Sequence, residues 1–153
     1  IDVVKNVGSD VPFFINKQPA TISGIGEIVV NLNDTRPIKV IIAVPKKGLS
    51  TKEIFEKYDE MIPKDTEKYF WNDISLFNDL WNTSVEIYPE LNTIKQNLED
   101  RYNKNFFMSG SGSALFSLFE ENEEIEEIDS EEFNLKYFSI TKKIDCSFSQ
   151  NDD

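Results

Sequence analysis

The sequence predicts an α+β fold in which helices cover one face of an antiparallel sheet. Three observations carry this reading. Lys39-Val40-Ile41-Ile42-Ala43-Val44 is a β-branched run of the kind that forms a buried strand. Two apolar runs, Asn105 to Met108 and Ala114 to Phe119, flank Ser109-Gly110-Ser111-Gly112-Ser113, which reads as a tight hairpin with a glycine-rich turn. Apolar residues at helical spacing fill the interval between the first strand and this hairpin. From residue 39 onward the order is therefore strand, helices, two strands, helix, strand.

The earlier residues read as strands. Val11 to Ile15 is a short apolar run. Gly24-Ile25-Gly26 is a turn, and Glu27 to Leu32 alternates as a strand does. Arg36-Pro37 breaks the pattern before the Lys39 strand, which ends in a loop at Pro45-Lys46-Lys47-Gly48. Ser50 or Thr51 caps the next helix, which runs through Glu53 to Tyr58. Residues 61–70 are polar and contain proline, and are expected to be an irregular link. A helix is expected over Ser75 to Ile87, with Leu76, Leu80, Trp81, Ser84 and Ile87 on one side. Pro89 opens another at its favoured first-turn position, with Leu91, Ile94, Lys95 and Leu98 on one face. The acidic stretch 120–132 is either a solvated helix or a loop with Ile125 and Ile128 turned inward. Leu135 to Ile144 ends the sheet, and Gln150 to Asp153 read as a frayed tail.

Composition narrows the function classes. The chain has 153 residues, 39% of them hydrophobic and 12% aromatic with twelve Phe, enough for one globular core. Its formal net charge is -12, from 28 acidic and 16 basic residues, so phosphate backbones and anionic membrane surfaces are disfavoured partners. No run of about 18 apolar residues is present to span a bilayer. The absence of histidine removes Ser-His triads and ordinary zinc sites, and no metal-ligating set of the chain's own is expected. Acid–base chemistry must then use Asp, Glu, Lys or Tyr. Cys146 is the lone cysteine, so no intramolecular disulfide forms, which fits a reducing compartment. In that setting Asn33-Asp34-Thr35 and Asn82-Thr83-Ser84 are chance matches to the glycosylation pattern.

Four constellations carry possible chemistry. In Gly8-Ser9-Asp10-Val11-Pro12-Phe13-Phe14, Asp10 either caps a local turn or is a base held against the packed Pro and Phe residues, accepting a proton from a substrate hydroxyl. Met108-Ser109-Gly110-Ser111-Gly112-Ser113-Ala114 is either a hairpin turn or a nest of exposed amides suited to phosphate; no Gly-Lys-Ser/Thr follows, so it is not a Walker A loop. Gly24-Ile25-Gly26-Glu27 reads as a tight β-turn. In Pro45 to Phe55, lysines stand beside a helix start, where a phosphate could sit, and Phe55 is either core or a platform for a planar base.

In order, these pieces resemble the GHMP kinase superfamily, and within it the kinases of 4-diphosphocytidyl-2-C-methyl-D-erythritol. The resemblance rests on Val7 to Phe14, Gly24 to Glu27, Pro45 to Phe55, Asn78-Asp79-Leu80 and Met108 to Ala114, and covers nearly all of residues 7–120. It implies a ferredoxin-like α/β sandwich at 37–147, preceded by a remnant of the N-terminal ATP-binding domain at 1–36 and followed by the tail 148–153. It implies ATP and Mg²⁺ as cofactors and phosphorylation of the substrate's 2-hydroxyl, in the non-mevalonate route to isoprenoids. Asp10 matches the catalytic aspartate. Phe55, with Ser50 and Thr51, falls where the family binds the cytidine diphosphate sugar-alcohol. Gly110, Ser111 and Gly112 match the motif that supports the ATP phosphate loop. Asn16-Lys17-Gln18 replace the glycines that usually follow the Phe-Phe pair.

The family's first two motifs, which carry the catalytic lysine and the ATP loop, are absent. The chain is therefore expected to be the C-terminal part of the enzyme, inactive alone, with the N-terminal half as its partner, and located in the cytoplasm or in a plastid. Two alternatives stand beside this one: a GHMP kinase acting on a mevalonate derivative or homoserine, and a non-catalytic ligand-binding domain of the same fold.

Overall fold

The computed structural model describes residues 20–24, 28–31, 37–61, 66, 68–71 and 74–142. Two compact units divide the chain, one drawn from residues 1–37 and 144–153, the other from Ile38–Lys143. In the first unit the described part is a hairpin of β1 (Ala20–Ser23) and β2 (Ile28–Asn31), antiparallel with Ser23 opposite Ile28. Gly24 leaves β1 with φ at +70°, a left-handed conformation that glycine adopts without steric cost. The expected strand at Val11–Ile15 lies outside the described residues.

The second unit is built on a four-stranded antiparallel sheet in the order β6-β7-β3-β8. Strand β3 (Ile38–Pro45) is central, pairing with β7 (Leu115–Glu120) on one side and β8 (Leu135–Lys142) on the other, while the two-residue β6 (Phe107–Met108) pairs with β7 at the edge. Between β3 and β6 come helices α1 (Thr51–Glu60), α2 (Trp81–Ile87) and α3 (Glu90–Tyr102), with the small hairpin β4 (Tyr69–Trp71) and β5 (Ile74–Leu76) after α1. A strand inserted between two others joined through helices is the split βαβ arrangement of ferredoxin-like folds.

Strand alternation decides the core. Along β3, Ile41 and Ala43 are fully buried, while Val40, Ile42 and Val44 are half-buried on the opposite face. Leu115 and Phe119 lie on the buried side of β7, and Leu91, Ile94 and Leu98 of α3 meet them, as a 3–4 residue spacing requires. Phe106 and Met108 close the end of this layer. Pro89 stands immediately before the helix and Asn103 ends it in a left-handed conformation.

Two expectations change and one alternative is resolved. Tyr69–Trp71 is a strand inside the segment expected to be irregular. Ser75 and Leu76 belong to β5, so the helix expected from Ser75 begins only at Trp81. Asn78 causes the delay: its side-chain oxygen accepts from the Leu80 amide at 3.0 Å, an Asx turn that competes with helix. In the 120–132 stretch the second of the two options holds. The chain crosses from β7 to β8 without a helix, and Ile125 and Ile128 pack against the core. Side-chain ties fix this crossover. Lys104 pairs with Glu123 at 2.7 Å, Lys39 donates to the Glu123 carbonyl at 2.6 Å, and the Tyr102 hydroxyl donates to the Glu126 carbonyl at 2.7 Å. The hydrogen bond from Lys104, followed by one from the Glu120 amide, holds the Glu123 carboxyl below its ordinary pKa.

Candidate functional site

The glycine-rich segment 109–113 joins β6 to β7 and is gripped from two sides. On one side stands the link into α1. The Ser113 hydroxyl donates to the Lys47 carbonyl at 2.7 Å, and Thr51 Oγ1 and Ser111 Oγ share a hydrogen bond at 2.9 Å. On the other side stands the start of α2. Asn78 Nδ2 donates to the carbonyls of Met108, at 2.8 Å, and Gly110, at 2.9 Å, and Ser84 Oγ approaches the Ser111 carbonyl at 3.4 Å. Within the segment, the Ser109 amide bonds to the Ala114 carbonyl and the Gly112 amide to the Ser109 carbonyl.

This grip leaves a row of donors. Among the described residues, the amides of Gly110, Ser111 and Ser113 donate to no protein acceptor. Gly110 and Gly112 have φ of +55° and +85°, left-handed conformations of the kind that recur in anion-binding nests. A Cβ on Gly112 would lie 2.7 Å from Met108 Sδ and 3.1 Å from Leu49 Cδ1, so the loop backbone rests directly on the core.

The structure resolves the capping alternative. Ser50 is the N-cap of α1, its hydroxyl accepting from the Glu53 amide at 3.4 Å, which leaves the Thr51 hydroxyl to reach Ser111. Phe55 is 50% exposed, so the core alternative for this ring fails. Four residues separate it from Thr51, which puts both on one face of α1. The expected lysines are engaged elsewhere: Lys46 pairs with Glu131, and the Lys47 ammonium lies 4.6 Å over the Tyr88 ring. Burial, followed by Glu90, raises the Tyr88 phenol above its usual pKa, so that ring stays neutral. Thr51, Ser111 and the two glycines thus come together with Phe55 nearby on the same helix. Asp10 lies outside the described residues, as do residues 25–27 of the expected Gly24–Glu27 turn.

Asn78 is the residue that sequence reasoning did not assign to the site. Its signal was its place two residues before a helix, where Asn favours a turn. Replacing Asn78 by Ala removes two bonds to loop carbonyls and the turn to Leu80, and is expected to cost about 2 kcal/mol. Thermal unfolding of the variant checks this, and a melting temperature equal to that of the native chain would mean the loop stands without Asn78.

Comparisons with known proteins follow this geometry closely. Residues 69–131 match the family described as GHMP kinases C terminal. A protein of Protochlamydia amoebophila called 4-diphosphocytidyl-2-C-methyl-D-erythritol kinase is 34% identical over 114 residues, covering 73% of this chain and 40% of that protein. Proteins of the same description from Anaplasma phagocytophilum and Clostridium acetobutylicum are 34% and 29% identical, covering 81% and 94% of this chain and 45% and 52% of their own lengths. The chain thus spans about half the length of the curated relatives it matches. A crystal structure of 4-(cytidine 5'-diphospho)-2C-methyl-D-erythritol kinase superposes with a TM-score of 0.58 at 25% identity, over 74% of this chain and 45% of that one.

Proposed function

We propose, from the premise that this chain carries a GHMP kinase C-terminal domain, that it is the C-terminal part of a kinase that phosphorylates the 2-hydroxyl of 4-diphosphocytidyl-2-C-methyl-D-erythritol with ATP. The observation that carries the reading is the 34% identity to curated kinases of that description, together with the gripped loop and its three free amides.

The residues divide the work as phosphoryl transfer requires. That reaction needs mainly positioning and charge stabilisation, with one group to receive the hydroxyl proton. Asp10 is the base in this reading. Phe55 offers an exposed face on which a cytosine ring can stack, and Ser50 and Thr51 stand one turn away at the helix start. The amides of Gly110, Ser111 and Ser113 suit a phosphate group, or a neighbouring loop that cradles one. Mg²⁺ would supply charge neutralisation on the nucleotide. No group of three or more Asp, Glu, His or Cys side chains gathers to hold a metal among the described residues. The N-terminal half of the enzyme is the partner that completes the nucleotide site. This reading places the protein in the cytoplasm, or in a plastid of a eukaryote, and its isoprenoid role follows from the substrate. No helix among the described residues is long and apolar enough to cross a membrane.

The test is ADP release from the chain joined to its N-terminal half, supplied with ATP, Mg²⁺ and the cytidylyl substrate. Turnover on that substrate is expected. Turnover only on a mevalonate derivative or homoserine would keep the superfamily and discard the substrate. A folded protein that binds a cytidine diphosphate compound and turns nothing over would be a binding module.

A further inference from the structure

A cavity of about 340 Å³ opens in the second unit, between the β4-β5 hairpin, α2, the first turns of α3 and the edge strand β6. It stands behind the glycine-rich loop, and the proposed reaction gives it no role. Its size lies at the lower end of the range for small-molecule sites, about 300–1,000 Å³.

The lining is specific in chemistry. Trp81 contributes an indole, and Tyr69 and Phe107 hold each other edge to face with centroids 5.6 Å apart. Asn82 and Asn92 also line the cavity, and their side-chain amides have no hydrogen-bond partner among the described residues. Each of those amides offers a donor and an acceptor in one plane. Lys95 is the one ammonium in the wall. It is paired with Glu99 in the next turn and lies 5.7 Å over the Trp81 ring, so its charge is already balanced. Glu99 in turn accepts from the Phe106 amide at 2.9 Å, which fixes the pair.

We infer that this cavity binds a neutral planar heterocycle with adjacent hydrogen-bond donor and acceptor, that is, a nucleobase or its nucleoside. Aromatic faces stack on any base, and an asparagine amide is complementary to a donor–acceptor base edge. The neutralised lysine and the net charge of -12 disfavour a phosphorylated form at this site. Asn78 and Met108, which help to hold the glycine-rich loop, are part of this wall, but the inference rests on Trp81, Asn82, Asn92 and Lys95, which the proposed kinase activity does not use, and it needs neither ATP nor the N-terminal half.

The experiment titrates the 153-residue chain with adenosine, guanosine, cytidine and uridine, and with their 5'-monophosphates, following the side-chain NH₂ resonances of Asn82 and Asn92 by NMR. At least one nucleoside is expected to shift these resonances saturably, and more tightly than its monophosphate. Asn82→Ala and Asn92→Ala, each verified as folded by circular dichroism, are expected to weaken that binding by about fivefold or more. Three results overturn the inference: no saturable shift with any nucleoside, tighter binding of the monophosphates, or binding lost with Phe55→Ala and kept in both Asn variants. None of these readouts depends on turnover, so the inference can fail while the kinase reading stands, and the reverse.

Discussion

Asp10→Asn is expected to lower turnover of the chain joined to its N-terminal half by about 10²–10⁴-fold, the range associated with removing a general base. Asparagine keeps the size and planarity of the side chain and loses both the basic oxygen and the negative charge. The chain contains no histidine to take over the proton. In the proposed reading substrate binding relies on Phe55, Ser50 and Thr51, so kcat should fall while KM changes little. Initial rates over a range of substrate concentrations separate the two. A loss near the lower bound would fit a reaction in which positioning contributes most of the barrier reduction. A variant that retains native kcat would remove Asp10 from the mechanism, and a module that only binds its ligand would behave in that way.

Gly112→Val is expected to have the largest effect on stability, about 2–6 kcal/mol, from two sources that add. A β-branched residue at φ +85° is strained by roughly 1–3 kcal/mol. Its side chain must also enter space held by Met108 and Leu49, with the first added carbon 2.7 Å from Met108 Sδ, and such overpacking costs roughly 1–3 kcal/mol. Met108 is buried in the core, so its thioether cannot retreat into solvent. Gly110 supplies the control. A Cβ there meets nothing within 4 Å, so Gly110→Ala carries only the backbone strain at φ +55°. Urea unfolding of the two variants should therefore rank them clearly, with Gly112→Val far the weaker. Equal midpoints would show that the contact with Met108 relaxes freely.

The parts of the fold that could be read from the sequence are those whose pattern is long and periodic. The β-branched run at Lys39–Val44 became β3, and the spacing of Leu91, Ile94 and Leu98 became the buried face of α3. The glycine-rich hairpin followed from two apolar runs around a turn. The β4-β5 hairpin was hidden because each strand has three residues, too few to show alternation, and because Leu76, Leu80 and Trp81 imitate helical spacing. One hydrogen bond from Leu80 to Asn78 overrides that pattern, and no periodicity reports it. The acidic crossover allows two options because its inward Ile125 and Ile128 are three apart, a spacing that a helix and an anchored loop share.

The same limit applies to the site. Thr51, Phe55, Gly110, Ser111 and Gly112 could be proposed because their residue types are unusual in their places. Asn78 falls inside the helix expected from Ser75, where nothing in the pattern sets it apart. Its importance comes from facing Met108 and Gly110, some thirty residues later, across a distance that only the folded sheet closes.

The side-chain ties on the glycine-rich loop join segments remote in the chain. Ser113 reaches Lys47 across 66 positions, Ser111 reaches Thr51 across 60, and Gly110 reaches Asn78 across 32. Closing such long loops costs entropy that single hydrogen bonds do not offset, so these bonds depend on the pairing of β3 with β7 around them. The loop's geometry is therefore a collective property of Ile38–Lys143. A peptide spanning 105–120 would contain every residue of the hairpin and still lack the shape that two distant segments impose on it.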